Sequence, residues 1–166
     1  MIRLSIKKAF FLDPYNEDIV REIVSLGKKY NSNDSIIKEF LNKTKSLSRE
    51  DYLKNKKKSN EIEEVLYTIE DSKIKDYCYI YGEKDRKICT ITFPISGIKR
   101  KNAVSKFVHC TQHDLGIKEV FIKVDIDDKN LIKNLDDLGY ESLGEDNGTI
   151  IYLKDEELEK TIQRAI

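Results

Sequence analysis

The sequence has no excess charge of either sign, since 30 Lys and Arg are matched by 30 Asp and Glu among 166 residues. That balance argues against bulk electrostatic binding of nucleic acid or of an anionic membrane, and leaves only local basic patches to weigh. It also lacks any uninterrupted apolar run near the roughly 20 residues that span a bilayer. The opening Met1-Ile2-Arg3-Leu4-Ser5-Ile6 alternates and then meets Lys7-Lys8, so it reads as a strand rather than a signal peptide. Cysteine is scarce: Cys78, Cys89 and Cys110 form no CxxC pair and are odd in number. They read as reduced, mostly buried thiols of a cytoplasmic protein. No internal repeat and no linker divides the chain, which points to one domain.

What is present fits a soluble globular protein, with 36% charged and 39% hydrophobic residues. The first strand is expected over 1–12, ended by Asp13-Pro14. Asn16 then caps a helix carrying Ile19, Val20, Ile23 and Val24, with a stop near Gly27. Asn33 or Asp34 caps a second helix with the stripe Ile36, Ile37, Phe40 and Leu41, and Ser48 with Asp51 forms a capping box for a third. Lys54 to Ser59 reads as a solvated loop. A three-strand meander follows, over 62–70, 74–81 and 87–93, with turns at Asp71-Ser72-Lys73 and at Gly82 to Asp85, and Pro94 closes it. After Ser96-Gly97 the period changes from two to about 3.6 residues. Val104, Phe107, Val108, Thr111 and Leu115 then share a helical face that stops at Gly116. A strand over 117–126, a helix capped by Asp127 or Asp128 with Leu131, Ile132, Leu135 and Leu138, and two strands over 140–143 and 149–153 complete the sheet. Asp155 is expected to cap a short C-terminal helix with Leu158 and Ile162 inward.

This order of elements resembles the GNAT fold, in which a central mixed, mostly antiparallel sheet of about seven strands splays open to admit acetyl-CoA. The likeness is carried by Asp114-Leu115-Gly116-Ile117-Lys118-Glu119-Val120 at a helix–strand junction and by Asp128 to Tyr140, ending Asp137-Leu138-Gly139-Tyr140. It implies a single α/β (α+β) domain over 1–166. Residues 1–60 would supply the first strand and the specificity helices, 61–154 the core sheet and cofactor region, and 155–166 a C-terminal helix. It implies an acyl-CoA-dependent N-acetyltransferase that acts by direct transfer on a small-molecule or peptide amine. Main-chain groups around Ile91 and Phe93 would pair with the pantetheine arm. The turn Gly97, Lys99, Arg100, Lys101, Asn102 and Ala103, with Asp128, would complete the cofactor site.

Two departures keep a second reading open, that of a catalytically silent GNAT-fold binding or regulatory module. Counting back from Gly116 puts Lys99 and Lys101 where the family's signature has glycines that let backbone N–H groups approach a pyrophosphate. Counting back from Gly139 puts Leu135 where many relatives have a tyrosine as general acid. Asp125, Asp127 and Asp128 cluster where a strand meets its helix. They read first as caps, and second as a group that attracts a substrate amine or relays its proton, with Asp125 and Asp127 the catalytic candidates. His109 and His113 share a helical spacing that suits a metal but lack a third ligand, so they read as a solvated pair and no metal is expected. Tyr67, Tyr77, Tyr79 and Tyr81 read as ordinary strand tyrosines, not as a stacking platform.

Overall fold

The structure is a computed structural model and describes residues 9–30, 35–94 and 101–155. Among these residues lie seven strands and five helices in one sheet of order β1-β2-β3-β4-β5-β7-β6. The strands are β1 (Ala9–Phe11), β2 (Glu61–Glu70), β3 (Lys73–Glu83), β4 (Ile88–Thr92), β5 (Glu119–Asp125), β6 (Glu141–Asp146) and β7 (Thr149–Asp155). The helices are α1 (Glu17–Lys29), α2 (Ser35–Lys45), α3 (Arg49–Lys58), α4 (Lys101–Asp114) and α5 (Lys129–Asp137). Only β4 and β5 run parallel; every other neighbouring pair is antiparallel. A parallel pair needs a crossover, which α4 supplies.

Strand parity sorts the side chains into two cores. Leu66, Cys78, Ile80, Ile91, Ile122 and Tyr152 face the layer of α4 and α5, where they meet Val104, Phe107, Leu131 and Leu135. Val65, Tyr77 and Tyr79 face the layer of α1 and α2 and meet Ile23, Ile37 and Phe40. Burying these large apolar groups supplies roughly 1.5–3 kcal/mol apiece before the entropy of ordering is subtracted.

Several local expectations need correction. Helix α1 passes through Gly27, which is buried, and ends at Tyr30. Lys54 to Lys58 is the end of α3 rather than a loop. Lysine is a good helix former and suits the negative C-terminal turn, but a helix without an apolar stripe gives no periodic signal. Gly82 belongs to β3 and not to a turn. A Cβ there would lie 2.0 Å from the Ile88 carbonyl oxygen, so glycine serves close approach of β3 to β4. The turn lies instead at Lys84 to Lys87, with Lys87 at φ 52°. Asp155 pairs with Glu119 as the last residue of β7, and the helix it is expected to cap lies outside the described residues. The expected start of the first strand, the caps Asn33 and Asp34, and the C-terminal helix lie outside the described residues.

Other signals match the structure. Asn16 Oδ1 accepts from the Ile19 amide at 3.3 Å, and Ser48 Oγ from the Asp51 amide at 3.1 Å. Gly116 ends α4 at φ 67°, a conformation that favours glycine.

Candidate active site

The parallel ladder of β4 and β5 pairs Ile88 with Glu119 and ends at Thr92 and Lys123. Strand β5 continues through Val124 and Asp125, which are paired on their other side with Ile150 and Thr149 of β7. On the β4 side Phe93 and Pro94 leave the ladder, as a proline that cannot donate requires. The two strands therefore part at their carboxyl ends, the place where open α/β sheets bind ligands.

The gap is a cleft of about 510 Å³. Its floor is Thr92, Phe93, Lys123 and Val124, its acidic wall is Asp125, Asp127 and Asp128, and Ile36 of α2 and Thr149 of β7 reach its rim. Two of the three carboxylates have structural duties. Asp125 Oδ1 accepts from the Asp127 amide at 3.0 Å, and Asp128 Oδ1 caps α5 by accepting from the Leu131 amide at 3.2 Å. Asp127 is exposed to the cleft. Capping and an acidic cleft wall thus coexist in one turn.

The structure brings Phe93, Asp125, Asp127 and Asp128 of the expected site together. The Phe93 ring packs on Phe107 of α4 at 5.9 Å. The Ile91 side chain is fully buried, and Ile91, in register with Ile80 and Ile122, is not among the residues lining the cleft. Asn102 is exposed and Ala103 buried in the first turn of α4, and Lys101 begins that helix. Gly97, Lys99 and Arg100 lie outside the described residues.

Leu135 is fully buried in the α4–α5 core, so that position faces apolar side chains and not the cleft. Among the described residues lining the cleft there is no tyrosine, cysteine or histidine. All three cysteines are buried and outside any disulfide, and burial pushes the Cys89 thiol up to about 12. None is therefore a ready nucleophile. Tyr152 donates to Asp136 at 3.1 Å, and burial pushes Tyr140 up to about 12. His109 and His113 are exposed with rings 4.2 Å apart, and no group of three metal-ligating side chains occurs among the described residues.

Sequence reasoning missed Lys123, Thr92, Thr149 and Ile36 as cleft residues. The alternation of Val120, Ile122 and Val124 inward already placed Lys123 on the opposite face of β5. Ile36 carried no such signal, because it reaches the cleft from a helix distant in sequence.

No family model and no curated protein sequence matches the chain. Solved structures do. Dodecameric spermidine N-acetyltransferase from Vibrio cholerae superposes with TM-score 0.61 at 12% identity, over 96% of this chain and 98% of that one. Campylobacter jejuni N-acetyltransferase PseH, in complex with acetyl coenzyme A, gives 0.59 at 11% identity, over 89% and 99%. The microcin C7 self-immunity acetyltransferase MccE, in complex with acetyl-CoA and AMP, gives 0.55 at 19%, over 89% and 92%. The strand order, the parting of β4 from β5 and these superpositions together establish that the chain has the GNAT fold, carried by a divergent sequence.

Proposed function

We propose that the chain is an acyl-CoA-dependent N-acetyltransferase whose acceptor is a small-molecule or peptide amine. The observation that carries this reading is the wedge between β4 and β5 with a carboxylate wall beside it. The fold neighbours that hold acetyl-CoA, PseH and MccE, support the cofactor. When bound, that cofactor supplies an activated acyl thioester.

The residues fit such a group in kind. Main chain around Ile91 to Phe93 would hold the pantetheine arm where the ladder ends. The segment Gly97 to Ala103, leading into the N-terminus of α4, would hold the phosphates through backbone amides, the helix dipole and the charges of Lys99, Arg100 and Lys101. Asp128, as the cap of α5, fixes the turn that shapes the opposite wall. The acceptor enters beneath α2, where Ile36 meets the cleft, so the segment 1–60 sets its identity.

Asp125 and Asp127 attract the ammonium form of the acceptor and take up its proton, directly or through water. With the thioester bound, the freed amine nitrogen would bond to its acyl carbon and shed its second proton to water, while the carbon–sulfur bond would break and the sulfur would leave with the electron pair. No enzyme nucleophile takes part, in keeping with three buried thiols. Leu135 contributes no proton, so the leaving sulfur takes one from another group or from water.

Calorimetric titration with acetyl-CoA tests the reading. A Kd on the order of micromolar is expected, weakened at least about tenfold, or about 1.4 kcal/mol, in Lys99→Glu plus Lys101→Glu. Absence of binding by acetyl-CoA and free CoA up to about millimolar overturns it and leaves a GNAT-shaped binding module.

A further inference from the structure

Helix α3 differs from the other helices in that none of its residues is buried. It is held by side chains at a few points. Arg49 pairs with Asp13 at 3.0 Å, the Tyr52 ring meets Tyr15 edge-on at 5.7 Å, and Lys84 Nζ donates to the Lys56 carbonyl at 2.6 Å. Lys56 Nζ also meets Glu64 Oε1 of β2. The helix thereby lies beside Glu61 to Glu64, the part of β2 that precedes its pairing with β1 at Leu66 to Thr68.

This docking seals polar groups that it does not satisfy. Glu64 is 2% exposed; Lys56 takes Oε1, and Oε2 has no hydrogen-bond partner. The Tyr52 hydroxyl is buried without a partner as well. Unsatisfied buried polar groups oppose the closed arrangement, and a helix without an apolar face brings little burial to offset them. Beside Glu64 a cavity of about 430 Å³, lined by Leu53, Lys56 and Leu115, gives water a way in when the helix moves.

We propose that α3 is a strap over the edge of β2 that lifts when Glu64 ionises, so that the docked state gives way as pH rises. Burial raises the Glu64 carboxyl above its ordinary range, outweighing the opposing pull of Lys56. The charged and titratable groups around it are Lys56 and Tyr52 on α3, Glu63 on β2 and Lys84 in the following turn. Glu61 and Lys57 stand at the cavity rim, and Lys43 reaches Glu63 from α2 at 3.3 Å. A carboxyl raised in the docked state favours docking fully at pH below its lifted value. That preference is lost as pH rises through the docked value. The inference does not depend on the acetyltransferase reading, since it concerns a helix whose seat lies outside the cleft.

Amide hydrogen exchange from pH 4.5 to 8, corrected for intrinsic rates, tests it. Protection of the Tyr52 to Lys58 amides is expected to fall as pH rises, about tenfold per unit separating the docked and lifted carboxyls. Tyr77 to Ile80 of β3 should hold their protection. Glu64→Gln should flatten the profile, and Tyr52→Phe should raise protection at every pH by removing the sealed hydroxyl. Lys56→Met, which takes away the hydrogen-bonded partner that most favours the ionised form and leaves only the more distant charge of Lys84, should move the fall to higher pH. A pH-independent profile in the wild type, or a fall that persists in Glu64→Gln, overturns the proposal. If Glu64→Gln does not fold, an unmoved profile in Lys56→Met overturns it equally.

Discussion

Two parts of the same sheet are built to different ends. Ten residue pairs join β2 to β3, with helices on both faces, whereas five join β4 to β5 before the strands part. In the first region the two strands pair along their whole length and are packed from both faces, so sequence changes there act on stability. In the second, pairing is given up at Thr92 and Lys123, and the space that opens is walled by carboxylates. A chain of this size can leave such a gap because the β2–β3 half and the α4 layer carry the packing. The comparison predicts that core and cleft substitutions separate cleanly into effects on folding and effects on activity.

The largest effect is expected at Phe107, fully buried on α4 between the two regions. Phe107→Ala leaves a cavity against Phe93 and should cost about 3–5 kcal/mol in urea unfolding. Gly82→Ala should follow at about 3 kcal/mol, because the new methyl meets backbone rather than a side chain that can turn away. If Gly82→Ala were neutral, the close approach of β3 to β4 would be wrong. A smaller loss, about 1–3 kcal/mol, is expected for Leu135→Tyr, which forces a hydroxyl into an apolar core. It should not raise the rate of acetyl transfer. A gain in rate would mean that α5 sits in a different register and that the side chain reaches the cleft.

Much of the fold was legible because the periods of two and 3.6 are written plainly in β5, α4 and α5. Val120, Ile122 and Val124 alternate, and Val104, Phe107 and Val108 recur at helical spacing. The elements misread were those where another force overrides the pattern. Gly82 looked like a turn because glycine marks turns and close contacts alike. The lysines of α3 hid the second half of a helix that has no apolar face, although its cap at Ser48 was legible. Of the residues that line the cleft, Asp125, Asp127, Asp128 and Phe93 were legible because they sit at element boundaries in a recognisable order. Ile36 could not, since only tertiary packing brings α2 to the cleft. Neither could Glu64, whose place in a strand pattern says nothing about the helix that closes over it.

On the cleft side, Asp125→Asn with Asp127→Asn should lower kcat/KM for the amine by about tenfold to a hundredfold, or about 1.4–2.7 kcal/mol. Stability should change by less than about 0.5 kcal/mol, because asparagine keeps the acceptor that Asp125 offers to the Asp127 amide. The pair separates attraction of the cation from delivery of the acyl group, because acetyl-CoA affinity should not change. An unchanged kcat/KM would return both residues to a purely structural role in the turn.

The smallest effect belongs to His109 and His113, which share a face of α4 but not a function. Their rings lie 4.2 Å apart on an exposed helix surface, a spacing that a metal could exploit. Among the described residues no third ligand joins the two histidines, and both rings are exposed, on the face away from Val104 and Phe107. Replacing both with alanine should therefore shift stability by no more than about 0.5 kcal/mol. Activity should be the same with and without a chelator. If zinc raised the melting temperature of the wild type at stoichiometric concentration and not that of the double variant, the outer face of α4 would be a metal site, and the division of the molecule into a packed half and a chemical cleft would need a third region.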